Sequence, residues 1–301
     1  MSRPVPYLFC RYHIRVGGSR LSGREQYDLL REIKGQKVAH RKSRPVEADY
    51  TTFAMMPNAF EVDDRMVLVW NAGYRVRVRQ EVDYDPERDV LETRLVDAQG
   101  VRYERFVAIP ELDVVAISDG SVEPHIGARQ AVARFQSVIK GNVTHGEADI
   151  RLAATNVDVD RALRSWGLSE FSFSVRPFNP HVGVLGARLH EELVRDGTAS
   201  LRGVAKATPG QEMRMAEGGF IEEAVGLAQA GYGQFGLKGT TPEGRYAQYG
   251  KPAFSLEKRK NEAVQARPQV LRVFMEPQLT DREDQTEVAR ALLDFYDPER
   301  D

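Results

Sequence analysis

Apolar residues alternate with polar ones along much of the first 120 residues, a pattern typical of half-buried β-strands. Residues 7–16 predict the first strand, and Ser22 with Glu25 predicts a capping box that opens a helix. A series of short strands follows, as in a β-meander. These strands are expected at about residues 50–56, 66–72, 74–82, 90–97, 101–109 and 112–117. The pattern therefore predicts an antiparallel, β-rich domain with one early helix over residues 1–122.

From about residue 123 onwards, helical and strand patterns are mixed. A helix is predicted over residues 127–140, and residues 171–175 alternate Phe and Val with Ser, as in a half-buried strand. Thr280 with Glu283 predicts the cap of a last, acidic and amphipathic helix. The predicted fold class is therefore α+β. An antiparallel β-rich N-terminal half precedes a mixed α/β C-terminal half, residues 123–301, with a β-hairpin and a C-terminal helix.

The hairpin is predicted between Gly231 and Lys251, where aromatic, basic and glycine residues are interleaved. Flat rings stack on bases and cations hold phosphates, so this composition suits a nucleic acid. A tight register would also place Lys238 near Arg245, with a phosphate or Glu243 between the two cations. The alternative is a solvated hairpin whose tyrosines pack against the edge of a core. The predicted stacking residues are Tyr232, Phe235, Tyr246 and Tyr249, and the predicted phosphate contacts are Lys238, Arg245 and Lys251.

The net charge of −2 conceals a strong segregation of charge along the chain. Residues 1–46 hold eleven Lys and Arg against three acids, and residues 231–275 hold eight against three. Residues 47–123 and 276–301 are acidic, with seventeen acids against eight arginines and nine against three. Such blocks suit a protein that presents a basic face to a polyanion, although pairing between lobes would also explain them. The N-terminal basic block adds Arg41, Lys42 and Arg44 to the predicted phosphate contacts.

A second candidate is the glycine-rich turn Gly17-Gly18 before the first helix. A helix N-terminus attracts anions, and Arg20 and Arg24 would add charged donors there. A P-loop needs Lys and Ser or Thr where this chain has Arg24 and Glu25, so a nucleotide hydrolase is not expected. The candidate is therefore a non-catalytic anion site, and the alternative is a plain turn.

The sequence offers no recognised catalytic or metal-binding motif. None of the six histidines lies at a metal-ligand spacing, and Cys10 and His13 fall on opposite faces of their strand. A single cysteine excludes an internal disulfide framework and a cysteine-rich zinc site, and no cofactor is predicted. No apolar run approaches the ~20 residues of a membrane span, and no signal peptide follows Met1. No membrane partner is expected, and a cytoplasmic location is predicted.

These patterns together predict a non-catalytic component that binds nucleic acid, either DNA or RNA, or another polyanion. The expected setting is a bacterial-type multiprotein system, of which anti-phage defence is an example. Two alternatives stay open. One is a protein–protein scaffold or homo-oligomer in which basic blocks dock onto acidic blocks, and the other is a metal-dependent nuclease whose carboxylates are scattered along the sequence.

Overall fold

The computed structural model separates the chain into two units. Unit 1 comprises Met1–Arg151 and Met275–Asp301, and unit 2 comprises Leu152–Phe274. For residues 37–40, 50–57, 75–85, 90–100, 187 and 231 the structure describes the backbone alone. The structure describes residues 4–33, 37–40, 50–85, 90–120, 126–177, 187–250 and 269–299.

The described residues include thirteen β-strands and six α-helices. None of the described helices combines the length and the apolar character that crossing a bilayer requires. The strands are β1 (Val5–Val16), β2 (Ser19–Arg20), β3 (Lys37–His40), β4 (Tyr50–Val62), β5 (Arg65–Asp85), β6 (Val90–Ile109), β7 (Val114–Ser118), β8 (Gly146–Arg151), β9 (Gly167–Val175), β10 (Leu201–Lys206), β11 (Gly233–Thr240), β12 (Tyr246–Tyr249) and β13 (Leu271–Met275). The helices are α1 (Gly23–Glu32), α2 (Ala128–Asn142), α3 (Asn156–Ser165), α4 (Ala187–Arg195), α5 (Phe220–Leu227) and α6 (Asp281–Tyr296).

The sheet of unit 1 is antiparallel and has the strand order β8-β1-β7-β6-β5-β4-β3, with β2 also paired to β1. Strands β5 and β6 are each longer than predicted, because each continues through a position where the sequence indicated a break. The register between them shifts once, between Val76 and Val78, so an irregularity takes the place of the expected turns.

Both faces of the unit 1 sheet are covered by helices. Tyr12 of β1 packs with Trp70, and the Trp70 ring lies 5.1 Å from the ring of Phe135 on α2. Phe9 points to the opposite face of β1, where its ring lies 6.0 Å from that of Phe295 on α6. Because all five side chains are buried, the sheet lies in the middle layer of unit 1.

A buried carboxylate fixes the start of α2. Glu104 of β6 is 1% exposed, and its carboxylate accepts hydrogen bonds from the hydroxyl of Ser118 and from three backbone N–H groups. Those N–H groups belong to Gly120, Ile126 and Gly127, and Gly127 is the residue before the first turn of α2. One side chain thus holds the end of β7 and the beginning of α2 against β6.

Unit 2 is built on an antiparallel sheet with the strand order β10-β9-β11-β12-β13. One face is apolar and is formed by buried residues of β9, β11, β12 and β13. Phe220 of α5 packs on this face, with its ring 4.8 Å from that of Phe173 on β9. The buried residues of the apolar face are Phe171, Phe173, Phe235, Leu237, Ala247, Tyr249, Leu271 and Val273.

The predicted α+β class is confirmed, because the described residues contain a large antiparallel sheet and six α-helices. The compact units are divided after Arg151 and before Met275, and the predicted domain division between residues 122 and 123 stays a prediction. The helix α2 belongs to unit 1 because Phe135 fills the core beneath Trp70, and α6 returns to unit 1 through Phe295. The change in sequence pattern near residue 120 therefore lies within unit 1.

Candidate nucleic-acid interface

The side of the unit 2 sheet opposite α5 carries a different set of side chains, which we call the polar face. Strand alternation points these side chains away from the apolar face. Part of this face is open to solvent, since Arg202, Lys206, Gln234 and Tyr246 are exposed. The polar face comprises Arg202, Val204 and Lys206 of β10, Glu170, Ser172 and Ser174 of β9, Gln234 and Lys238 of β11, Tyr246 and Gln248 of β12, and Arg272 and Phe274 of β13.

The strand register aligns one residue from each of the five strands in a single row across the polar face. Lys206 pairs with Glu170, which pairs with Lys238 on its other side. Lys238 pairs in turn with Gln248, and Gln248 pairs with Arg272. Three cations, one carboxylate and one amide therefore lie side by side, at the inter-strand spacing of about 4.8 Å.

An aromatic pair lies beside this row. The rings of Tyr246 and Phe274 are 5.1 Å apart between centroids, and Tyr246 is 40% exposed. The side-chain amide of Gln248 donates a hydrogen bond to the Tyr246 hydroxyl at 2.6 Å, which orients the ring. A partly exposed ring next to an amide and two cations offers both a stacking surface and hydrogen-bonding groups to a flat ligand.

Among the described residues, the polar face carries more cationic than anionic side chains. Its cations are Arg202, Lys206, Lys238 and Arg272, and Glu170 is its only carboxylate among the described residues. The Lys238 Nζ lies 2.8 Å from the Glu170 Oε1, and the two side chains are 31% and 18% exposed. Part of the positive charge is thus neutralised locally, and Lys206 lies on the other side of Glu170.

Two of the predicted stacking residues lie on the apolar face of the unit 2 sheet and not on the polar face. Phe235 and Tyr249 are 6% and 7% exposed, and their rings pack on each other with centroids 5.2 Å apart. Burial raises the pKa of Tyr249 to about 12, and its hydroxyl donates to Gln269 at 2.7 Å. Both rings belong to the core of unit 2, as in the alternative in which hairpin tyrosines pack internally, and they are not available to a base.

The predicted proximity of Lys238 and Arg245 is also corrected by the register. Lys238 faces Gln248, whereas Arg245 lies in the turn before β12, where its carbonyl accepts from the Thr241 N–H. The Arg245 guanidinium lies 3.7 Å from the carboxylate of Glu243, the neutralising partner that the sequence suggested. The two cations are therefore not directly opposed.

Tyr232 lies in a π-helical turn, Ala228–Tyr232, that leads into β11, and it is partly exposed. It is outside the row and outside the aromatic pair. The remaining predicted phosphate contacts lie outside the described residues, so the expected union of the N-terminal basic block with the hairpin stays a prediction. Those residues are Arg41, Lys42, Arg44 and Lys251.

The glycine-rich turn before α1 has a structural role. Gly17 and Gly18 adopt positive φ angles of 58° and 84° and close the hairpin between β1 and β2. The N-terminus of α1 is capped by Ser22 and Glu25, which satisfy each other's backbone N–H groups. A capped terminus has fewer free donors for an external anion, so the structure favours the plain-turn alternative.

Both arginines of that predicted anion site are paired with carboxylates. Arg20 contacts Asp113, and the Arg24 Nε lies 3.2 Å from the Asp28 Oδ2 one helical turn away. These internal partners compensate the charges that the sequence assigned to a bound anion. Arg20 and Arg24 therefore lie in surface ion pairs of unit 1.

The described part of the chain contains no group of three or more His, Cys, Asp or Glu side chains placed to hold a metal ion. The arrangement on the polar face can bind and orient a ligand through charge, hydrogen bonds and ring contacts. No protein-family model, curated protein or solved structure matches this chain, so the functional assignment depends on its own geometry.

Proposed function

We propose that the polar face of unit 2 binds single-stranded nucleic acid without catalysing a reaction on it. The observation that carries the proposal is the row Lys206, Glu170, Lys238, Gln248 and Arg272, with the aromatic pair beside it. Proteins that bind single strands combine a cationic track for the backbone with aromatic side chains on which bases stack. Both parts are present on one face.

The geometry favours a single strand over a duplex. The row crosses four inter-strand spacings, so it extends roughly 19 Å. Successive phosphates of one stacked strand are separated by about 3.4 Å along the axis, so the row is long enough for several nucleotides. A ring on Tyr246 or Phe274 needs a base whose flat surface is free, and bases within a duplex already stack on their neighbours.

Equilibrium binding measured by fluorescence anisotropy tests this proposal. The probes are a labelled single-stranded RNA, a labelled single-stranded DNA of the same mixed sequence, and a duplex of that sequence. At least one single strand is expected to bind more tightly than the duplex, and its affinity is expected to fall steeply with salt as counterions are released. Absence of binding at low salt, or a preference for the duplex, contradicts the proposal.

The alternatives predicted from the sequence have their own readouts in the same samples. Light scattering detects a scaffold or homo-oligomer, and gel analysis after incubation with Mg²⁺ or Mn²⁺ detects a nuclease. Self-association without nucleic-acid binding would favour the scaffold. The cytoplasmic location and the bacterial-type multiprotein setting stay predictions from the sequence.

Tyr246 provides a matched pair of variants for the stacking part of the proposal. Tyr246→Ala is expected to weaken single-strand binding by at least about fivefold, because one base–aromatic stack contributes ~1–3 kcal/mol. Tyr246→Phe keeps the ring and loses the hydroxyl that accepts from Gln248, so it is expected to retain most of the affinity. The measurement is the Kd from anisotropy, with the melting temperature of each variant as the folding control. Equal affinities for the two variants would contradict a stacking role.

A further inference from the structure

Glu170 is a carboxylate at an unfavourable position for a surface that binds phosphates. It lies in the row between Lys206 on β10 and Lys238 on β11. Its carboxylate lowers the positive potential that would attract a nucleic acid, so its presence there needs an explanation other than affinity. The neighbouring bulge, where the register shifts between Lys238 and Gly239, leaves the Glu170 side chain on the polar face.

The partner of Glu170 is a group that a phosphate can also bind. Lys238 Nζ lies 2.8 Å from Glu170 Oε1, and both side chains keep some contact with solvent. Ion pairs of this kind contribute little net stability because water screens them, and a lysine side chain is long and flexible. A backbone phosphate that binds at the row can therefore replace Glu170 as the partner of the Lys238 ammonium. The Glu170 Oε1 that this ammonium contacted is then open to a donor from the ligand.

We infer that Glu170 then accepts a hydrogen bond from a base and makes the polar face selective for bases with an exocyclic amino group. This inference rests on the proposed nucleic-acid binding. An ionised carboxylate only accepts hydrogen bonds. Cytosine presents the N4 amino group as a donor, and adenine presents N6, whereas thymine and uracil carry the O4 acceptor at the equivalent position. Glu170 attracts the amino group and repels the O4 oxygen.

The ligand class that follows is a single strand rich in amino-bearing bases, in preference to one rich in uracil or thymine. Gln248 does not make this distinction, because its amide offers both a donor and an acceptor. Glu170→Gln has the same shape as the native residue but loses both the selectivity and the negative charge. It should therefore bind uracil-rich strands more tightly than the native protein does, while the difference between the two strand types becomes smaller.

The test compares oligocytidylate with oligouridylate of equal length, each in ribo and deoxyribo form, with thymidylate as the deoxyribo partner. The native protein is expected to bind the cytosine strand at least about fivefold more tightly, which is the lower limit of one specific base contact. In Glu170→Gln the ratio of the two Kd values is expected to fall close to one. The control is Glu192→Gln, the same substitution at a partly exposed position on α4, which is expected to keep the native ratio.

Each outcome decides between the inference and the function on which it rests. A native ratio of one, or a ratio that survives Glu170→Gln in a folded protein, overturns the role of Glu170 while the proposed binding stands. If no strand binds at low salt, the proposed function itself fails, and the selectivity fails with it. The native comparison needs no variant, so the inference stays testable even if Glu170→Gln proves unstable by thermal melting.

Discussion

Replacing Lys238 and Arg272 together by glutamine is expected to weaken single-strand binding by roughly tenfold to a hundredfold and to reduce its salt dependence. The two residues lie on β11 and β13, and Gln248 connects them in the register of the row. Each phosphate contact that is lost should lower the slope of log K against log salt by about one. The loss is expected to be similar for different sequences, since phosphate contacts carry no base information.

Glutamine is preferred to glutamate in this experiment because of Glu170. A glutamate at position 238 would place a second carboxylate beside the first, and repulsion in the sheet would destabilise the fold. The control is Arg188→Gln with Arg195→Gln on α4, where both native side chains are 74% exposed. This control removes the same charge from the same unit, so an equal loss of affinity there would mean that net charge, and not the row, determines binding.

Glu104→Ala is expected to lower the free energy of unfolding by about 3–5 kcal/mol, since each buried donor left without an acceptor costs roughly 1–3 kcal/mol. The Glu104 carboxylate is the acceptor for Ser118, Gly120, Ile126 and Gly127. Without the Glu104 side chain, these donors have no acceptor at the place where β7 ends and α2 begins. The lost packing of a 1% exposed side chain adds a cavity cost to the lost hydrogen bonds.

Urea denaturation followed by circular dichroism measures this effect. The control is Glu61→Ala, which removes an exposed carboxylate from β4 and is expected to change the unfolding free energy by no more than about 0.5 kcal/mol. If Glu104→Ala were as mild as the control, the carboxylate would not be the element that holds α2 to the sheet.

Local sequence chemistry predicts those elements of this fold whose determinants lie within a few residues of each other. The capping box of Ser22 and Glu25 opens α1 as expected, and both of its hydrogen-bond pairs are formed. The limits of unit 1 could not be predicted in this way, because α2 and α6 are assigned to it by packing against residues far away in the chain. Phe295 contacts Phe9 across almost the whole sequence.

The candidate site was predictable only in part for a related reason. Tyr246 and Lys238 were expected in the interface and lie on the polar face, but Phe235 and Tyr249 were expected there and are buried. Alternation along a strand separates the two faces without showing which one a helix covers. The packing of Phe220 on the side of Phe173 decides that question, and the hairpin sequence alone holds no sign of it.

Lys206, Arg272 and Phe274 were not identified as site residues from the sequence. They lie on strands that are adjacent to the hairpin or to β9 only in space. Strand order and register bring Lys206 and Arg272 into the row and place Phe274 beside it. A usable signal exists for two of them. In the strand from Leu271 to Met275 the apolar core residues alternate with Arg272 and Phe274, which indicates that both side chains leave the core face.

Photo-crosslinking tests the binding face most directly. A single strand carrying photoreactive bases is irradiated with the native protein, and the crosslinked peptides are identified by mass spectrometry. Crosslinks are predicted at Tyr246 and Phe274, with competition by unlabelled single strand but not by duplex. Crosslinks confined to unit 1 or to the helices of unit 2 would contradict binding on the polar face.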